Sequence, residues 1–157
     1  MTSIELPDNL KSVATEAFES CINLKIIDIP DSTRVIGDSV FCNCINLETI
    51  RLPDRVDEFG EGVFSNCEKL MYAFLPNGVT ELSGGTFSGC ESLIQVYIPS
   101  SVTFLSGAEF RGCPNLKWIN YEGTAEQFDD IEFRAYLYSD YDWLSRVTIV
   151  VGSSRFD

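Results

Sequence analysis

The chain has 157 residues, 45% of them hydrophobic and 22% charged, a balance that belongs to folded proteins rather than disordered ones. Its 24 acidic residues outnumber 11 Lys and Arg, giving a formal net charge of −13, and it contains no histidine. That balance excludes a nucleic-acid binder, which needs a basic stripe to displace counterions from phosphates. It also argues against docking on anionic lipid and favours, through long-range steering, a protein partner with a basic surface.

Residues 1–6, MTSIEL, read as the end of a strand that opens a stack. The segment MTSIELPDNLKSV has neither the basic nor the apolar region of an export signal, and no run of 18 apolar residues occurs. With free thiols, this predicts a cytoplasmic location for the chain as it stands. For a piece of a longer chain, the expectation is instead a cell-surface or secreted location.

From residue 7 a unit of 23 residues repeats five times, over 7–29, 30–52, 53–75, 76–98 and 99–121. Pro7, Pro30, Pro53, Pro76 and Pro99 keep that spacing, as do Phe18, Phe41, Phe64, Phe87 and Phe110. So do Cys21, Cys44, Cys67, Cys90 and Cys113, and Leu24, Leu47, Leu70, Leu93 and Leu116. Four residue types locked to one period in the twenties are the signature of a solenoid. The reading is therefore a single solenoid domain over 1–157, closed by a capping segment at 122–157.

Within each unit the apolar pattern changes period. Before each proline it alternates, as in Leu24-x-x-Ile27-x-Ile29 and Leu93-x-x-Val96-x-Ile98, which predicts a short strand with one face inward. Proline ends the strand because it has no N–H for the next ladder bond. A second short extended segment follows, with Ile36, Phe59, Leu82 and Leu105 inward. Small and acidic residues then lead to the phenylalanine, a pattern that predicts one helical or 3-10 turn behind each coil. One coil cannot bury these residues; five stacked coils make a continuous core.

The consensus L-x-x-I-x-I-P-x-x-V-x-x-I-x-x-x-x-F-x-x-C-x-x-L resembles the BspA-like leucine-rich repeats over residues 4–124. Tyr121-Glu-Gly-Thr124 followed by Phe128 is similar to the closing segment of such repeats, with Phe in place of the usual Trp. The resemblance implies a curved right-handed leucine-rich-repeat solenoid with a parallel sheet on its concave side and short turns on its convex side. It implies binding of proteins or host surfaces rather than catalysis, and parts of larger surface proteins as a setting.

Candidate chemistry is sparse. Stacked coils lie about 4.8 Å apart, within the reach of a disulfide, but a row of five parallel cysteines cannot all pair. The cysteine and phenylalanine columns are therefore predicted to be a reduced structural ladder. Cys42 lies off the ladder as an exposed or half-exposed thiol prone to oxidation, and Cys42-x-Cys44 without histidine does not make a zinc site. No histidine base is available, and no G-x-S-x-G, Walker A or G-x-G-x-x-G motif occurs, so neither an enzyme nor a cofactor is expected. Asp129-Asp130 and Asp140-x-Asp142 are read as acidic loop residues; Ser145 and Val151 occupy the positions where a calcium loop starting at Asp140 needs Gly and Glu.

The positions between the inward residues of each strand face out. One row reads Ser3, Ile26, Thr49, Tyr72, Gln95, Trp118, and the next Glu5, Asp28, Arg51, Phe74, Tyr97, Asn120. Tyr72, Phe74, Tyr97 and Trp118 form a candidate binding patch, with Asp28 and Arg51 at its polar end. Two bland alternatives stand beside it: aromatics that merely stabilise the sheet, or a tail that folds back over Trp118. In the tail, 125–131 reads as a helical turn capped by Thr124, and 146–151 as a strand stopped by Gly152. The leading functional expectation is a protein-binding module. Its alternatives are an acidic inhibitor or mimic acting by charge, and a structural repeat segment of a larger adhesin-like surface protein. The strand edge at Met1–Leu6 also offers a route to a homodimer.

Overall fold

Because the inward residues recur every 23 positions, strands pair with their equivalents in the next coil, and every strand pair among the described residues is parallel. The computed structural model describes residues 3–134 and 143–152. The strand before each proline gives one series: β1 (Ser3–Ile4), β3 (Ile26–Asp28), β5 (Thr49–Arg51), β7 (Tyr72–Phe74), β9 (Gln95–Ile98) and β11 (Trp118–Tyr121). The segment after it gives a second: β2 (Ser12–Val13), β4 (Val35–Ile36), β6 (Glu58–Phe59), β8 (Glu81–Leu82) and β10 (Phe104–Leu105). The tail extends both series, with β12 (Glu132–Phe133) beside β10 and β13 (Thr148–Val151) beside β11. The solenoid expected from the period, and the leucine-rich-repeat architecture that the resemblance implies, are what the structure has.

Two details refine this architecture. The segments behind the coils are mostly hydrogen-bonded turns, and in the five repeats only Ala108–Phe110 forms a 3-10 helix. Each of these segments holds a residue in the left-handed region (Ser20, Asn43, Asn66, Gly89 and Gly112 in turn), which stops a helix from propagating. Nor is the sheet continuous. The first series divides into β1-β3-β5 and β7-β9-β11-β13, and the second into β2-β4-β6 and β8-β10-β12. Both divisions fall between the same two coils.

The core runs down the middle. Phe18, Phe41, Phe64, Phe87 and Phe110 stack with ring centroids 5.5, 5.8, 5.6 and 5.7 Å apart. Burying a side chain of this kind contributes roughly 1.5–3 kcal/mol. All six cysteines are free. The thiols of Cys44, Cys67, Cys90 and Cys113 donate to the carbonyls of Phe18, Phe41, Phe64 and Phe87 at 3.0–3.1 Å, so each thiol ties its coil to the phenylalanine of the coil before. The first rung departs from the predicted ladder, because Phe18 and Cys21 are only half-buried. No coil among the described residues lies on their far side.

The far end is closed differently. Thr124 caps helix α1 (Ala125–Asp129): its hydroxyl accepts from the Gln127 amide at 3.2 Å, and the Gln127 side chain accepts from the Thr124 amide at 2.9 Å. Phe128 then packs edge-on against Tyr121, at 5.4 Å. Trp143 lies edge-on to Phe110 at 4.9 Å, with its indole N–H donating to the Gly107 carbonyl at 3.1 Å. At 2% exposure, Trp143 is the plug of the phenylalanine column.

Candidate binding face

The alternation of β7, β9 and β11 turns Ala73, Val96 and Ile119 into the core and leaves their neighbours on the open face. Register places Tyr72, Gln95 and Trp118 in one row across the strands, and Phe74, Tyr97 and Asn120 in the next. Tyr72 is 47% exposed and Phe74 and Trp118 each 40%. Phe74 and Tyr97 stack face to face, with centroids 4.5 Å apart and planes 12° off parallel. The Gln95 side-chain amide donates to the Tyr97 hydroxyl at 3.0 Å and to the Asn120 side-chain Oδ1 at 2.7 Å. The Lys117 ammonium lies 5.8 Å from the centre of the Trp118 ring.

The four aromatic residues thus share one sheet. Asp28 and Arg51 do not belong to it: they sit opposite each other on β3 and β5, across the division between the sheets. Arg51 pairs with Asp31 at 3.0 Å rather than with Asp28. Both partners are well exposed, so that ion pair contributes at most about 1 kcal/mol. The tail does not cover Trp118 among the described residues; β13 runs alongside β11, with Thr148 opposite Trp118.

One apolar residue beside the face escaped the reading of rows. Met71, 42% exposed, lies beside Tyr72 and enlarges the apolar surface. Gln95 stood in the predicted row, but its hold on the Tyr97 hydroxyl did not follow from its place there. Met71 directly precedes its strand, where alternation gives no direction; of its equivalents Lys25, Glu48 and Lys117 are charged and Ile94 is apolar, so spacing did not single it out.

Elsewhere the titratable groups serve the stack. Glu109 is fully buried, and its carboxylate accepts from the Thr86 amide at 2.6 Å and from the Ser106 hydroxyl. Burial pushes its carboxyl above the usual range against those hydrogen bonds. Burial likewise pushes the Cys44 thiol up to about 11 and the Cys113 thiol up to about 12. Cys42 is half-buried, and burial, with Glu19 and Glu16 nearby, raises it too, lowering its thiolate fraction. Among the described residues no cluster of three His, Cys, Asp or Glu is placed to hold a metal ion. Asp140 and Asp142 lie outside the described residues. No described helix is long and apolar enough to cross a membrane.

A parallel solenoid with a core ladder of Phe and Cys and an open aromatic sheet face defines a leucine-rich-repeat protein, a class whose members typically bind rather than catalyse. The family model for the BspA type leucine rich repeat region matches residues 1–134 with six copies, and the chain belongs to that family. A leucine rich cell surface protein from Faecalibacterium prausnitzii is 35% identical, with a TM-score of 0.80 over 84% of this chain and 35% of that one. The chain therefore spans about a third of that protein's length. A leucine rich repeat protein from T. pallidum is 26% identical over 95% of this chain and 72% of its own, with a TM-score of 0.71. The pneumococcal vaccine antigen PcpA, 20% identical, shares the fold, with a TM-score of 0.73 over 98% of this chain and 42% of that one. No curated protein matches the chain. The cytoplasmic expectation finds no support in these comparisons, since the Faecalibacterium relative is a cell surface protein.

Proposed function

We propose that this protein is a non-enzymatic binding module that takes a protein partner on the face of β7, β9 and β11. One observation carries the reading: Tyr72, Phe74 and Trp118, three large rings, stay 40% or more exposed on one sheet, around a tyrosine held by Gln95. Aromatic residues of this kind dominate the centres of protein interfaces. The net charge of −13 favours a partner with a basic surface, attracted by long-range steering. Asp28 and Arg51 form the polar flank of the proposed face. A setting at the cell surface, as a segment of a larger protein, is supported by the Faecalibacterium relative and by the fraction of it that this chain matches. Pairing of two copies through the strand edge at Met1–Leu6 is a further proposal, read by light scattering of the purified chain as mass against concentration.

The test uses a phage-displayed peptide library selected on the wild-type chain. Peptides so obtained should lose at least tenfold in affinity for Tyr97→Asp and for Trp118→Asp, while the melting temperature stays within about 2 °C of wild type. Unchanged affinity would sink the reading, and so would a large fall in melting temperature, which would make the aromatics structural. Binding that collapses with salt and ignores both substitutions would instead favour action by charge alone.

A further inference from the structure

Both strand series are interrupted at one place, between the coil that carries β5 and β6 and the coil that carries β7 and β8. Neighbouring coils elsewhere are joined on the first series by bonds such as Ile29 N–H to Arg51 O (3.0 Å), Leu75 N–H to Tyr97 O (3.1 Å) and Ile94 N–H to Met71 O (2.9 Å). On the second series they are joined by Gly60 N–H to Ile36 O (2.8 Å) and Ser106 N–H to Leu82 O (3.1 Å). The repeat equivalents at the interrupted junction are Leu52 to Phe74, Met71 to Glu48 and Ser83 to Phe59. None of these three bonds is formed.

The back of the same junction is intact. Gly62, Phe64 and Asn66 donate to Ser83, Thr86 and Ser88 at 3.1, 2.9 and 2.7 Å, the Cys90 thiol reaches the Phe64 carbonyl, and the Phe64 and Phe87 rings stack at 5.6 Å. The corner between the two strand series is also closed: the Asn77 amide donates to the Asp54 carbonyl at 3.2 Å. There Gly78 lies so near the Val56 carbonyl oxygen that a Cβ would stand 1.8 Å from it.

Local sequence explains why this junction differs. Of the equivalents of Gly78, Ser32 and Ser101 each donate a hydroxyl to the preceding coil, to Leu10 O at 2.7 Å and to Val79 O at 2.6 Å, but Arg55 has no hydroxyl and its junction is unbroken, so the difference lies in the packed columns instead. Val13, Ile36, Leu82 and Leu105 form the inward column of β2, β4, β8 and β10, and Phe59 is the bulky exception, only half-buried and tilted 47° against Phe64. On the other side Ala73 replaces the larger Ile27, Ile50, Val96 and Ile119. The junction is therefore too wide in one column and underfilled in the other.

We propose that this junction is a built-in joint. The turns behind it and the corner at Asn77–Asp54 act as the pivot, and the two strand series open and close across it. The joint separates the sheet that carries Asp28 and Arg51 from the sheet that carries Tyr72, Phe74, Tyr97 and Trp118. A tilt about it changes the angle between the polar and aromatic parts of the face without disturbing either part. The inference is independent of whether that face binds anything.

Residue-resolved amide hydrogen exchange on the intact chain tests it. The amides of Leu52, Met71 and Ser83 should exchange at least tenfold faster than their equivalents Ile29, Ile94 and Ser106, while Phe64 and Asn66 behind the joint stay protected like Phe41 and Asn43. Phe59→Leu, which restores the aliphatic column, should slow exchange at Ser83. Protection of Leu52, Met71 and Ser83 equal to that of their equivalents would overturn the joint. Fast exchange spreading equally to Phe64 and Asn66 would also overturn it, because the pivot itself would then be opening.

Discussion

The two ends of the phenylalanine column carry nearly the same repeat and meet different fates. At one end Phe18 and Cys21 are half-buried; at the other Phe110 and Cys113 are fully buried beneath Trp143. Residue type is identical at the two positions, so burial is decided by the neighbour on each side and not by the residue's own hydrophobicity. A repeat protein therefore cannot be read one unit at a time. The energetic weight of a position depends on its place in the stack.

The comparison breaks most visibly if the plug is removed. Trp143→Ala should cost about 3–5 kcal/mol in urea denaturation, the usual range for deleting a large buried aromatic. Phe18→Ala should cost roughly half of that, because its ring already meets solvent. Equal losses would show that the two ends are energetically alike and that burial is a poor guide here.

A smaller effect lies in alkaline solution. Unfolded thiols titrate near the ordinary value of 9.0, while burial holds Cys44 at about 11 and Cys113 at about 12 in the folded chain. The folded state then keeps protons that the unfolded state has lost, so stability is fully present below pH 9 and declines between pH 9 and about 12. Cys113→Ala should show a shallower decline over that window than wild type does. An unchanged slope would remove the buried thiol as its cause.

The smallest perturbation leaves the fold alone. A thiol-specific reagent at neutral pH should label Cys21 and Cys42, the two half-buried cysteines, before any other. Cys44, Cys67, Cys90 and Cys113 should react only on unfolding. Rapid labelling of Cys113 in the native chain would mean that the Trp143 end opens as readily as the Phe18 end.

Much of this architecture could be read from spacing, because a solenoid writes its geometry directly into its period. Ile27, Val96 and Ile119 point inward where alternation put them, and Thr124 caps α1 through the partner its local sequence supplies. What escaped the reading is what departs from translation along the stack. Trp143 plugs Phe110 from 33 residues away across a segment with no period, so no spacing rule could place it. Arg51 chose Asp31 over Asp28 because a long flexible side chain on an exposed surface selects among acids by geometry rather than by row. The division of the sheets depends on the volumes of Phe59 and Ala73 relative to their columns, and a pattern of apolar against polar does not record volume.

The thiol contacts have one more consequence. Each of Cys44, Cys67, Cys90 and Cys113 reaches a carbonyl 26 residues earlier, and each ring stacks on a ring 23 residues away. Contacts written in such fixed offsets make no reference to an absolute position in the chain. A duplicated coil would find the same partners above and below it, and an excised one would leave its neighbours able to join. The length of the molecule is thus a variable that whole-unit gain or loss can change without new chemistry. The reach of the surface it presents can be set in steps of one strand.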